Sequence, residues 1–304
     1  MLGIFAADAT YRVQVLPRMG ETVRGESFAL SPGGKGSNQA IAAARLGADA
    51  SLISRLGDDA FADLAEGAWR KAGVTSLVLR DGRSATGSAG IMVDARTGDN
   101  AIVVCPGAAD EIGTVDVERH AALIGEADVF LTQLEQPLPA ARRGLEIARE
   151  AGVTTILNPA PAAELDDALL ALCDWITPNE TEAQTLSGIE ATDAASARAA
   201  ADALRSRGVR NVVVTLGENG ALATTADGTT HCPAHSAGAV VETTGAGDAF
   251  NAGFAVALAE GRDLADALRF GCAVAGLSVT RAGASASMPT REEVERALGG
   301  GRSA

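Results

Sequence analysis

Short apolar runs alternate with Ala-rich amphipathic stretches along most of this 304-residue chain, and that alternation most restricts its fold. Strand-like runs occur at Leu2–Ala6, Ala50–Ile53, Val129–Leu134, Thr154–Leu157, Trp175–Thr177 and Val212–Leu216. Helical spacing fills Asn38–Leu46, Ala140–Glu150 and Ala194–Arg207 between them. Such a rhythm predicts an α/β protein with a mostly parallel central sheet flanked by helices on both faces. Two regions break it. Glu21–Leu30, and Ser88–Val104 with its Asp94–Asp99 turn, read as strands with no helix between them. They are candidates for a small antiparallel sheet outside the main layer. The stretch Ala246–Thr280 reads as almost wholly helical, broken near Gly261 and Arg262, and the tail Gly299–Ala304 is expected to fray. No internal repeat or low-complexity linker divides the chain.

Composition narrows the function. Hydrophobic residues make up 47% and charged residues 21%, which supports a sizeable core and argues against global disorder. Aromatics are only 3%, so Ala, Val and Leu must do most of the packing. No run approaches the ~20 apolar residues of a membrane span, and the first residues lack the basic stretch of a secretory signal. Four cysteines (Cys105, Cys173, Cys232, Cys272) lie far apart with no CxxC pair, as expected of buried free thiols in a reducing cytoplasm. His120, His231 and His235 suggest no ligand cluster. A net charge of −14 disfavours nucleic-acid binding. An anionic small molecule would need aimed backbone N–H groups, a few placed cations and Mg²⁺.

Two glycine-rich segments open helices and meet that requirement. In Glu242-Thr243-Thr244-Gly245-Ala246-Gly247-Asp248-Ala249-Phe250-Asn251, a strand at Ala239–Val241 is expected to run into a turn and then a helix. Free amides of a first helical turn, at the positive end of the dipole, attract an anion. Asp248 there can accept a hydroxyl proton beside a phosphoryl group. The competing reading is a glycine turn with Asp248 as a helix cap.

The second segment is Ser31-Pro32-Gly33-Gly34-Lys35-Gly36-Ser37-Asn38-Gln39-Ala40. It fits neither a Walker A loop, because Gly36 follows Lys35, nor GxGxxG, because Gln39 takes the third glycine's place. Only two of the 25 basic residues are lysines, Lys35 and Lys71. A compact ammonium between glycines reads as a point charge or a sugar-hydroxyl donor in a tight site, or else as a solvated loop lysine.

Three weaker signals accompany these. Asn179 and Glu182 in Thr177-Pro178-Asn179-Glu180-Thr181-Glu182 either face hydrated Mg²⁺ or form a helix cap with acidic first-turn residues. Thr215–Gly220 is a turn, beside a nucleotide or merely a turn. Asp8 and Glu135 follow strands, where open α/β sheets bind ligands, and are otherwise surface carboxylates.

Together, Gly33–Asn38 and Thr243–Phe250 resemble the two signatures of the phosphofructokinase-B carbohydrate kinase family, above all its ribokinase-like members. The similarity runs from Leu2 to about Glu293. It includes Gly20–Val23, Gln133–Glu135, Asn158–Ala162, Asn179–Glu182 and Thr215–Gly217 in order. The resemblance implies a single ribokinase-like α/β domain over 1–304, with a β-sheet lid from about 9–32 and 86–105. It implies ATP-dependent phosphorylation of a small sugar's primary hydroxyl, a pentose and foremost D-ribose. The catalytic base falls on Asp248 and the anion hole on Gly245, Ala246 and Gly247. Sugar contacts fall on Asp8, Gly34, Lys35, Gly36, Ser37, Asn38 and Glu135. Nucleotide contacts fall on Asn179, Thr215, Gly217, Gly220, Gly247 and Cys272. Glu182 would organise Mg²⁺ through water. A monovalent cation (K⁺) would be held at Glu242, Thr244, Ser278, Arg281, Gly283 and Ser287. A homodimer through the lid and a cytoplasmic location complete the expectation.

Three positions depart from the pattern. Ala6 stands where such kinases usually present Asn, which costs about 1 kcal/mol for one missing sugar hydrogen bond. Glu242 replaces the usual Asp of the cation loop, and Cys272 replaces a polar residue on the adenine side. Rival readings are a kinase for fructose, a nucleoside or a 2-keto-3-deoxy sugar acid held by Arg24 or Arg96. Two further rivals are a nonenzymatic sugar or nucleotide sensor, and an NAD oxidoreductase that the failed GxGxxG match opposes.

Overall fold

The computed structural model describes residues 1–299. The expected fraying beyond Gly299 lies outside the described residues. Two sheets and their helices make up the chain, and the strands are numbered in chain order. The first sheet is built from β1 (Ala6–Val13), β2 (Gly25–Gly33), β5 (Ser88–Asp94) and β6 (Asn100–Cys105), in the order β2-β1-β5-β6. The second contains β7 (Val129–Thr132), β8 (Thr154–Leu157), β9 (Trp175–Ile176), β10 (Asn211–Thr215), β11 (Ala221–Thr225) and β12 (Gly228–Cys232), in reverse order along the sheet. Its β7–β10 run parallel, and β11 and β12 return antiparallel. The parallel pair β3 (Ser51–Leu56) and β4 (Thr75–Arg80) continues this layer, joined to β7 only by Leu2, which bridges Ile53 and Thr132.

Strand periodicity explains the layering. Along β10, Val212 and Val214 enter one core and Val213 the other, and Phe130 and Leu131 of β7 divide the same way. Because both faces are buried, these strands read as unbroken apolar runs. Small residues offset the shortage of aromatics. The Ala246–Ala259 and Leu264–Ser278 helices pack at Gly253 and Gly271, where a Cβ on Gly253 would lie 2.8 Å from Val274 and one on Gly271 3.0 Å from Phe250.

Several expectations need correction. The first strand does not occupy Leu2–Ala6. It begins at Ala6 and lies in the smaller sheet, so the N-terminal segment crosses from one sheet to the other. That smaller sheet is mixed, since β1 pairs parallel with β5 although its other pairs are antiparallel. No strand forms at 239–241. Val240 and Val241 are exposed, and the amides of Val241 and Glu242 both bond the Val279 carbonyl rather than a neighbouring strand. The thiols are free, but only Cys173 and Cys272 are buried, Cys105 being exposed and Cys232 half-buried. No helix among the described residues is long and apolar enough to cross a membrane.

Candidate functional site

The carboxyl ends of successive parallel strands β8, β9 and β10 release Asn158, Thr177, Asn179 and Thr215 on one side of the sheet. Two glycine-opened helices aim at the same place, Lys35–Arg45 bringing Lys35 and Ala246–Ala259 bringing Asp248 and Asn251. These residues, with Ala160, Glu182, Gly245 and Gly247, line a cleft of about 170 Å³. Open α/β sheets bind ligands at this end of their strands. A larger cavity of about 500 Å³ opens among Met1, Ala50, Val129 and Phe130, with Asp49, Glu126, Asp128 and Glu260 around it. Among the described residues no lysine or arginine lines it, so no basic side chain there is placed to receive phosphate.

Asp248 is buried, and its carboxylate decides between the two readings of its segment. Its Oδ2 accepts Asn38 Nδ2 at 2.9 Å and its Oδ1 accepts Gln39 Nε2 at 2.9 Å. Neither oxygen caps its own helix, whose N-cap is Gly245 with φ 81°. The cap reading is therefore wrong. Burial pushes the Asp248 carboxyl above the ordinary aspartate range, and Lys35, Asn38 and Gln39 oppose that rise. Of the anion-hole amides, Ala246 N–H already donates to the Thr243 carbonyl at 3.1 Å. Gly245 and Gly247 remain as the amides of that turn that line the cleft.

The other glycine segment is shaped by close approach. Gly34 has φ 85°, and a Cβ there would lie 2.7 Å from the Ile4 carbonyl. A Cβ on Gly36 would lie 2.6 Å from Gly3 Cα, so the helix end rests directly on the first residues of the chain. A Cβ on Gly33 would occupy the place of the Asp8 carboxylate. Lys35 N–H donates to Glu135 Oε2 at 2.7 Å. Ser285 Oγ ties Asn38 Oδ1 at 2.6 Å to the Pro32 carbonyl at 3.0 Å. Burial raises Glu135 to about 7 against the pull of Lys35, with Asp248 and Asp8 adding to the rise, and it raises Asp8 to about 6. Two expected sugar contacts lie elsewhere. Gly36 packs on Gly3, and the buried Ser37 hydroxyl accepts Trp69 Nε1 at 2.9 Å.

At the start of the Glu180–Ser187 helix, Asn179 and Glu182 form a reciprocal capping box. Asn179 Oδ1 accepts Glu182 N–H at 2.8 Å, and Glu182 Oε2 accepts Asn179 N–H at 2.9 Å. The helix-cap reading is thus correct for both, yet both also line the cleft. Burial raises the Glu182 carboxyl, opposed by the Asn179 amide and Lys35. Thr215 lies beside them, its N–H bonded to the Pro178 carbonyl at 3.0 Å. Gly217, Gly220 and Cys272 are not in the cleft lining. Gly217 is exposed, Gly220 lets the chain pass against Cys232–Ala234, and Cys272 is buried beside Cys232.

Of the six residues expected around a monovalent cation, one pair is in direct contact across the two segments. Glu242 Oε2 accepts Gly283 N–H at 2.9 Å, drawing the 242–245 turn to the 278–287 segment that holds Ser278, Arg281, Gly283 and Ser287. Thr244 is exposed on that turn. Arg281 pairs with Glu293. The hydroxyls of Ser278 and Ser287 donate to the Ala275 and Ala284 carbonyls, both at 2.8 Å.

Sequence reasoning gave no role to Gln39, Gln133, Asn158, Thr177 or Asn251, all of them buried polar residues at or behind the cleft. The available signal was a polar side chain inside an apolar run, as with Asn251 between Phe250 and Phe254.

Comparison with known proteins bears on this geometry. Residues 1–291 match the family described as pfkB family carbohydrate kinase. The chain is 40% identical over 294 residues to the ribokinase of Haemophilus influenzae, covering 96% of this chain and 95% of that protein. It is 36% identical over 300 residues to the deoxyribokinase of Salmonella typhi, covering 98% and 97%. The structure of Arabidopsis thaliana ribokinase complexed with ribose and ATP superposes with a TM-score of 0.89 at 32% identity, over 98% of this chain and 97% of that one.

Proposed function

The chain belongs to the pfkB family of carbohydrate kinases, and from that premise we propose that it transfers the γ-phosphoryl group of ATP to the primary hydroxyl of D-ribose. One observation carries the reading. A buried carboxylate at a glycine-opened helix shares a cleft with Lys35, Asn179, Glu182 and Thr215 and accepts the Asn38 amide, while Glu135, bonded to the Lys35 N–H, lies near enough to Asp248 and Asp8 for their charges to raise it. Asp8, Gly34, Asn38 and Glu135 hold the sugar hydroxyls, and Asn179 and Thr215 meet the nucleotide. As the sugar oxygen bonds to phosphorus and the bridging oxygen of ADP leaves, the hydroxyl proton passes to Asp248. The Gly245 and Gly247 amides and Lys35 stabilise charge on the transferring group.

Mg²⁺ fits this chain as a water-rich, phosphate-held ion. Glu182 Oε2 is engaged in the capping box, leaving Oε1 for a coordinated water. No group of three or more metal-binding side chains occurs among the described residues, and Mg²⁺ bound through substrate phosphates needs none. When bound, Mg²⁺ would neutralise phosphate charge. K⁺ would lie between the 242–245 turn and the 278–287 segment, where Glu242 already ties the two together. The smaller sheet is a lid over the sugar, excluding water that would otherwise hydrolyse ATP. The enzyme is cytoplasmic, in keeping with its free thiols.

In a coupled ADP-release assay, D-ribose should give the highest kcat/KM of a panel with 2-deoxyribose, fructose, nucleosides and sugar acids. A higher value for 2-deoxyribose would reassign the substrate, and no turnover despite sugar binding would favour a sensor. The sugar-acid reading is weakened because Arg96 is engaged by Asp94 of its own hairpin and by the Gln14 carbonyl just past β1.

A second copy of this chain covers the lid. The small sheet exposes Tyr11, Phe28, Leu30, Ile102, Val103 and Val104, with Phe28 56% and Val103 64% exposed. Its edge strands β2 and β6 each have an unpaired side, a liability that pairing between subunits removes. Phe28 and Val103 share the face opposite Asp8, so sedimentation should show a dimer for the wild type and a monomer for Phe28→Asp/Val103→Asp. A monomeric wild type, or a variant that stays dimeric, would refute this interface.

A further inference from the structure

Behind Asp248 lies a buried amide that the proposed chemistry does not use. Gln39 has no exposed surface, and its Nε2 donates to Asp248 Oδ1 at 2.9 Å and to Asn158 Oδ1 at 3.1 Å. Its Oε1 accepts the side-chain amide of Gln133, equally buried. The network continues forward. Asn158 Nδ2 donates to the Thr177 carbonyl at 3.3 Å, Thr177 Oγ1 to Asn251 Oδ1, and Asn251 Nδ2 to the Gly247 carbonyl at 2.8 Å. One run of polar groups thus connects the end of β7, the carboxylate and the glycine turn.

A side-chain amide has a donating end and an accepting end, and a carboxylate tolerates only the donating end. Asp248 Oδ1 and Asn158 Oδ1 both accept from Gln39 Nε2 and so fix which end of the amide faces the carboxylate, while the Gln133 NH₂ meets the oxygen turned away from it. Asn38 also donates to Asp248, but it faces the sugar under the proposed function, whereas Gln39 meets only protein. We infer that Gln39 is a positioning residue for the base, with Gln133 supporting it from behind through the Gln39 oxygen. The inference rests on Asp248 being the base.

The test is kcat against pH at saturating D-ribose and ATP, with the full chain. Removing a hydrogen bond that favours the charged carboxylate raises its pKa, so active enzyme is lost at a higher pH as pH falls. The charged groups facing Asp248 are Lys35 from the Lys35–Arg45 helix, Glu182 from the Glu180–Ser187 helix and Glu135 after β7, with Asp8 acting on Glu135, and all remain in the variants. Gln39→Leu should lower kcat by about 10- to 100-fold, the loss expected from a displaced reacting group. The ribose KM should hardly change, and the acid limb should move to higher pH. Gln133→Met should act in the same direction and less strongly. Gln39→Glu, of equal size, should move the limb furthest, because it sets a second carboxyl against Asp248.

A folded Gln39→Leu enzyme with the wild-type limb, its rate lowered only in proportion to the folded fraction, would reduce Gln39 to a packing residue. Should that variant fail to fold, an unmoved limb in both Gln133→Met and Gln39→Glu would overturn the inference. Asp248→Asn separates the two levels. Normal turnover there removes the base itself, whereas an inactive Asp248→Asn beside unaltered glutamine variants removes only the positioning role.

Discussion

Asp248→Asn should lower kcat on D-ribose by roughly 10²–10⁴-fold, the range for a positioned general base. The substitution keeps shape and removes only the ability to take a proton. Nucleotide and sugar KM should therefore stay near their wild-type values, which a coupled ADP-release assay measures directly. A second readout comes from linkage. Burial raises the folded-state pKa of Asp248 above its unfolded value, so the native carboxyl holds its proton to higher pH than the unfolded chain does. Stability linked to that proton is present below the unfolded pKa and is lost as pH rises through the folded one. At neutral and alkaline pH the native state bears the cost of a buried charge, and Asn removes it. The variant should accordingly melt no earlier than the wild type above pH 7, although Asn38 and Gln39 now face one amide donor they cannot satisfy. Loss of turnover with retained thermal stability is the signature of a group kept for chemistry. Near-normal turnover in a folded variant would remove the base assignment.

How far the sequence could lead depends on where each signal resides. The run Thr154–Leu157 becomes β8 without adjustment, because Ile156 and Leu157 enter the two opposite cores and the buried Thr155 hydroxyl is bonded to the Leu172 carbonyl. The break at Gly261 and Arg262 likewise falls between two helices. Leu2–Ala6 was misread for the opposite reason. Its apolar residues are buried, yet only Leu2 bridges the main sheet before the chain leaves it, a crossing that no local pattern encodes. Val240 and Val241 have strand composition but no strand to pair with.

The site divides in the same manner. Glycines that shape a helix start are written locally, as Gly34 and Gly245 show by their positive φ. Whether Asp248 caps a helix or faces a cleft depends on Asn38 and Gln39, 210 and 209 residues away in the chain. Composition cannot reveal that pairing, and only the succession of several motifs in order pointed to it. Asn179 and Glu182 show the reverse limit, since the cap reading and the ligand-facing reading describe the same two side chains.

Lys35→Ala should produce the other large effect, a fall in kcat/KM on the order of 10²-fold for both substrates, typical of losing one placed charge at a phosphoryl-transfer site. Glycines flank this ammonium, and its charge draws down three carboxyls at once, those of Asp248, Glu135 and Glu182. Each of the three is nevertheless raised by burial, Glu135 to about 7. Removing the cation must raise all three further, because less positive potential opposes the proton. Proton transfer needs Asp248 charged, so the active fraction disappears as pH falls through its folded pKa. That loss should begin at a higher pH in the variant than in the wild type. Initial rates between pH 5.5 and 9 should therefore show the acid limb displaced upward, with part of the lost activity recovered at alkaline pH, where the carboxyls are charged again. Lys35→Arg should not restore the wild type. A planar guanidinium spreads its charge and forks its donors, so it does not reproduce a compact ammonium aimed at one phosphoryl oxygen. If Lys35→Ala instead raised only the sugar KM and left the limb in place, the lysine would be a hydroxyl donor alone, and phosphate charge would have to be met by the helix amides and Mg²⁺ without it.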